Sequence, residues 1–142
     1  MKRLGQFLLA VAMVGGVAGG ASAQERKLIP PIRGEATLDM TKPATKVSGT
    51  EVVTVIVVRN PATTGAIAGL KVEENWYDKA GNPVAGDLYR HARPLRAGEV
   101  VTITLRTPRS PAMNSNKYQF THANGTIKAN VVPKIDVPAT TK

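Results

Sequence analysis

The chain has 142 residues, no cysteine and a formal net charge of +9, with 19 lysines and arginines against 10 carboxylates. The missing cysteine excludes disulfide stapling, thiolate zinc sites, dithiol redox chemistry and a lipid anchor on an N-terminal cysteine. The basic balance suits an acidic protein, an acidic glycan or anionic headgroups through its long-range field, and equally suits a plain solvated surface.

Residues 1–23 read as a signal peptide: Lys2 and Arg3 start it, Phe7 to Ala18 is apolar, and Ala21-Ser22-Ala23 supplies small peptidase-site residues. A membrane span needs about 20 apolar residues. The shorter run therefore points to export, with cleavage before Gln24 and a periplasmic or secreted product. Nucleic acid is then a poor partner, and no later segment approaches transmembrane length.

Residues 24–31, ending in Pro30-Pro31, read as an exposed leader. Residues 32–137 form the expected domain, and 138–142 a loose tail. In the first strand, Ile32 to Met40, the positions Ile32, Gly34, Ala36, Leu38 and Met40 share a face. Lys42 to Gly49, with Pro43, is a connection. Glu51 to Arg59 is rich in valine and apolar on both faces, so it is a central strand whose outer face needs a cover. Asn60-Pro61 ends it.

From Leu70 the alternate residues Leu70, Val72, Glu74 and Trp76 share one face. Trp76 is expected to anchor the core. Glu74 breaks the apolar pattern, and a bulge or a place at the sandwich edge is expected to relieve it. Gly81, Asn82 and Pro83 mark a turn, and Val84 to Tyr89 resumes as a strand. Leu95 plugs one end of the core beneath a basic loop. Val100 to Arg106 alternates, and Thr107 to Asn116 crosses the end of the domain. Tyr118, Phe120 and His122 share a face before Asn124-Gly125, a two-residue hairpin signal. The last strand, Thr126 to Val132, turns Ile127, Ala129 and Val131 inward. The expected core thus includes Leu70, Val72, Trp76, Leu95, Tyr118 and Phe120.

About seven short strands and no helix after the signal predict an all-β, two-layer antiparallel immunoglobulin-like β-sandwich, with an incomplete barrel as the alternative. Three stretches carry a family resemblance. They are Val57-Val58-Arg59-Asn60, Asn75-Trp76-Tyr77-Asp78 with Lys79-Ala80-Gly81-Asn82, and Leu95-Arg96-Ala97-Gly98-Glu99. With these the chain resembles, from Gly34 to Val132, immunoglobulin and fibronectin type III-like sandwiches, and more narrowly the bacterial FxLYD group of extracytoplasmic domains. The resemblance implies an accessory, adhesive or assembly role and brings no catalytic residue.

The expected partner-binding set is basic. Arg90, His91, Arg93 and Arg96 surround Pro94 and are expected to meet Arg106, Arg109 and Lys117 at one end, where guanidinium forks would pair with carboxylates or phosphates. No catalytic constellation emerges. His91 and His122 lie in different regions, and Ser48, Ser110 and Ser115 lack a nucleophile motif. Glu73 and Glu74 point to opposite faces of a strand. No cofactor or metal is assigned, although His91, His122, Met40 and Met113 keep a soft-metal module as an alternative. A small hydrolase with a nonlocal site is a further one. The leading expectation is a noncatalytic exported binding or assembly subunit. It would present loops or a sheet edge to a cell-envelope or secreted protein, or to an acidic glycan.

Overall fold

The computed structural model describes residues 29–138. The expected signal peptide, the first part of the leader and nearly all of the tail lie outside the described residues. Eight strands follow in order: β1 (Ala36–Thr41), β2 (Ala44–Ser48), β3 (Glu51–Arg59), β4 (Lys71–Tyr77), β5 (Pro83–Arg90), β6 (Val100–Pro108), β7 (Ser115–His122) and β8 (Gly125–Val132). No helix occurs among the described residues.

β3 pairs with β6 along one edge, and with β1 and β2 in succession along the other. β8 runs parallel to β1, from Ala36↔Ile127 to Thr41↔Val132. The second layer is β7-β4-β5, antiparallel throughout. The layers are joined where β8 meets β7, and that hairpin splays almost at once: only Thr121↔Thr126 and His122↔Gly125 pair. The eight strands thus form one curled, largely antiparallel sheet folded on itself as an immunoglobulin-like sandwich. At the opposite seam β5 lies against β6, and Asp87 Oδ2 accepts the Arg106 backbone N–H at 2.7 Å.

The interior follows from alternation. Leu38, Ile56, Val58, Val72, Ile103 and Leu105 are buried from alternate strand positions, and Ile67 and Leu95 close one end. Ile67 and Leu95 exchange backbone bonds of 2.9 and 2.8 Å, so Leu95 is the expected plug. Leu70, Val72 and Leu95 are core residues, with Tyr118 and Phe120 half-buried against them.

Several expectations change. The connection at 42–49 contains β2, whose five side chains are all exposed and carry no apolar signal. Ala123 and Asn124 form the last turn, while Gly125 already pairs in β8. Val131 is 65% exposed rather than inward: β8 has left β7 well before it, and its paired neighbour there is Met40 of β1. On the outer face of β3, Val53 is buried without a partner protein: it sits in register between Lys46 and Arg106, long side chains whose aliphatic stems can cover an apolar neighbour.

Candidate functional site

Trp76 does not join the hydrophobic core; it is half-buried and lines a surface cleft. The fully buried residue of the pair is Glu74, two positions earlier on the same face of β4. Glu74 Oε1 accepts from Trp76 Nε1–H at 2.8 Å and from the Thr107 hydroxyl at 2.9 Å. Its neighbour across the β4–β7 pair is Tyr118. Burial pushes the Tyr118 phenol above its usual range, and the Glu74 carboxylate reinforces this, against the hydroxyls of Thr54 and Thr45. Thr45 and Thr54 hydroxyls are 3.0 Å apart, and Asn116 Nδ2 donates to the Tyr118 oxygen at 2.9 Å. The register shift against β5 falls after Trp76, with Val84 the extra residue on β5, and does not re-aim Glu74. One donor from β4 itself and one from β6 keep the carboxylate inside, and its second oxygen is buried with no partner among the described residues.

Beside this polar knot lies a cleft of about 350 Å³ between β2 and the β6–β7 loop. Val47, Val52, Trp76, Pro111 and Met113 give it apolar walls, and Lys46 and Arg109 supply its only charges. Sequence reasoning misses it because β2 has no pattern.

The expected basic site is divided. Arg93 and Arg96 lie in the loop before β6, whereas Arg109 lies just past its far end, about 26 Å away along an extended strand. Arg90 and Arg106 are closer to one another, because the Arg106 N–H is held by Asp87, three residues before Arg90. Lys117, at the start of β7, shares that far end, with Nζ 5.7 Å from the centre of the Tyr77 ring. The length of β6 thus separates Arg93 and Arg96 from Arg109 and Lys117, with Arg90 and Arg106 between them. Arg93 is bound to Glu99, and Arg106 pairs with Glu51 at 3.2 Å. Glu99 also accepts the Arg96 backbone N–H, at 2.8 Å.

His91 Nδ1 is 2.7 Å from the Tyr89 hydroxyl, and its Nε2 is buried without a partner among the described residues. Burial, then Arg93, holds the His91 imidazole below the usual histidine range, with Glu99 opposing. His122 is structural in its contacts. Its Nε2–H donates to the Gly34 carbonyl at 2.7 Å, pinning the β7–β8 turn to the segment before β1. Arg90 and Thr121 both pair with Lys71, so His91 and His122 follow at one level on either side of β4, two strand spacings or about 10 Å apart. Among the described residues no group of three or more His, Asp or Glu side chains could hold a metal. No helix among them is long and apolar enough to cross a membrane.

Fold and strand pairing define this chain as an all-β immunoglobulin-like domain. No protein-family model and no curated protein matches it. Among solved structures, IrmA from Escherichia coli aligns with a TM-score of 0.45 and 8% sequence identity, covering 73% of this chain and 99% of that one.

Proposed function

We propose that this chain is an exported, noncatalytic binding or assembly subunit that offers the free edge of β2 to an extended segment of another cell-envelope or secreted protein. One observation carries the reading. β2 and β3 are joined by the two-residue turn Gly49-Thr50, so Ser48↔Glu51, Lys46↔Val53 and Ala44↔Val55 are the hydrogen-bonded pairs. The N–H and C=O groups of Thr45 and Val47 then point away from β3, and all of β2 is exposed. No other backbone group among the described residues bonds to them.

Such an edge is a template for strand addition, in which main-chain hydrogen bonds supply affinity and side-chain pockets supply specificity. The contrast with the β5–β6 seam supports the choice, since Asp87 caps the β6 backbone there. An acidic glycan is less favoured, because Arg93 and Arg106 are already engaged by Glu99 and Glu51.

The test places a photocrosslinking residue at Val47, and separately at Thr104 on the exposed face of β6, in the chain expressed in its native cells. A discrete protein adduct from Val47 and none from Thr104 is expected. Equal labelling from both positions, or none from either, would overturn the reading.

A further inference from the structure

The Trp76 cleft opens at the edge just described, and the two features share a geometry. In β2, Thr45 and Val47 face the interior side, opposite Thr54 and Val52, while Lys46 faces outward opposite Val53. A strand added beside β2 would alternate in the same way. Its positions beside Val47 would face the cleft walls of Trp76, Pro111 and Met113, and its intervening positions would stand next to Lys46.

The charges decide what those positions carry. Lys46 and Arg109 line the cleft, no carboxylate does, and neither cation has an ion-pair partner among the described residues. Val47 is 57% exposed although it lies on the interior side, so an apolar side chain there is unburied until something covers it. The indole of Trp76 is fixed by its bond to buried Glu74, which presents a pre-set wall rather than a mobile one.

We infer that the β2 edge and the Trp76 cleft together form a groove for an extended peptide segment alternating apolar and acidic residues. The apolar residues enter the cleft and the carboxylates meet Lys46 and Arg109. This rests on the strand-addition reading of β2.

The experiment uses the purified chain and two blocked, fluorescein-labelled peptides, one alternating valine with aspartate and the other valine with lysine. Binding is read by anisotropy, and, with unlabelled peptide, by the emission of Trp76, the sole tryptophan. The aspartate peptide should bind saturably, shift Trp76 emission to shorter wavelength, and bind at least about tenfold more tightly than the lysine peptide. The double variant Lys46→Glu/Arg109→Glu should reverse that preference, a gain that misfolding would not produce. Equal binding of both peptides, or binding that leaves Trp76 emission unmoved, overturns the groove. Failure of both peptides while Val47 still crosslinks to a protein removes this inference and leaves the edge reading standing. Failure of both peptides and of the Val47 crosslink removes the two together.

Discussion

Thr107 on β6 donates its hydroxyl to Glu74 on β4 across 2.9 Å, tying the two layers of the sandwich through a carboxylate that is fully buried. Trp76 donates to the same oxygen. The bond matters because a buried hydroxyl that loses its partner bears the full cost of leaving water.

Glu74→Ala therefore orphans Thr107, frees the Trp76 indole and opens a void. It should cost about 3 kcal/mol. Glu74→Gln keeps an acceptor for both donors and should cost about 1 kcal/mol. Urea unfolding followed by Trp76 fluorescence measures both. Equal losses in the two variants would mean that the charge, not the acceptor, holds the knot together.

Gly125 is the second test. A Cβ built on it overlaps the Gly34 carbonyl oxygen, the same oxygen that His122 binds. Backbone has no flexible end to swing away, so Gly125→Ala should destabilise by about 3 kcal/mol. Gly81 also has a positive φ, 83°, but open space around it. Gly81→Ala should cost only about 1 kcal/mol. Thermal unfolding of the two variants side by side separates collision from backbone conformation alone.

The valine-rich run of Val52 to Val58 and the alternation of Val101 to Leu105 make two strands, which pair with one another, legible in the sequence itself. So do the apolar faces of Leu38 and Leu70. The depth order of Glu74 and Trp76 is not legible there. Periodicity places both on one face, but which goes deeper depends on Thr107, which stands thirty-three residues from Glu74. β2 is hidden for another reason. A strand exposed on every residue carries no periodic signal, and its existence is set by pairing with β3. The basic residues mislead because nearness along the chain says nothing about which end of a strand a side chain occupies. Arg96 precedes β6 and Arg109 follows it, so the length of that strand stands between them.

His91 gives a pH prediction. Its folded pKa lies below the unfolded value, through burial first and Arg93 second, with Glu99 opposing. The unfolded chain therefore takes up the proton first as pH falls. The contribution of His91 to stability is complete above the unfolded value of about 6.5 and is lost as pH drops through the folded one. Glu99 loses its own contribution in a separate, more acid window: burial alone would raise it, but Arg93 and the Arg96 N–H hold it low. Urea midpoints measured from pH 7.5 downward should fall in the wild type, and His91→Gln should flatten the first part of that decline. A wild-type curve that matches the variant across that range refutes the assignment.

Asn60 offers the sharpest test, because one atom changes. Its side chain is fully buried and fully used. Nδ2 donates to the carbonyls of Gly65 at 3.2 Å and Leu95 at 3.0 Å, and Oδ1 accepts the Ala62 N–H at 3.1 Å. Its backbone also takes part, accepting from Gly98 and donating to Glu99. The end of β3, the link to β4 and the loop before β6 thus converge on this residue. In Asn60→Asp the volume is unchanged, but two donors become an acceptor facing two carbonyl oxygens. A buried carboxylate so placed has no favourable arrangement. The variant should lose about 3 kcal/mol or more at neutral pH. It should recover part of that loss on mild acidification, when the added carboxyl gains a proton and can donate to one carbonyl. Asn60→Ala leaves both carbonyls without a donor but adds no repulsion. It should fall between the wild type and the aspartate variant and show no such recovery. Urea midpoints of both variants at two pH values check the claim. If the aspartate variant shows no pH-dependent gain over the alanine one, the donors of Asn60 are not what joins these three segments.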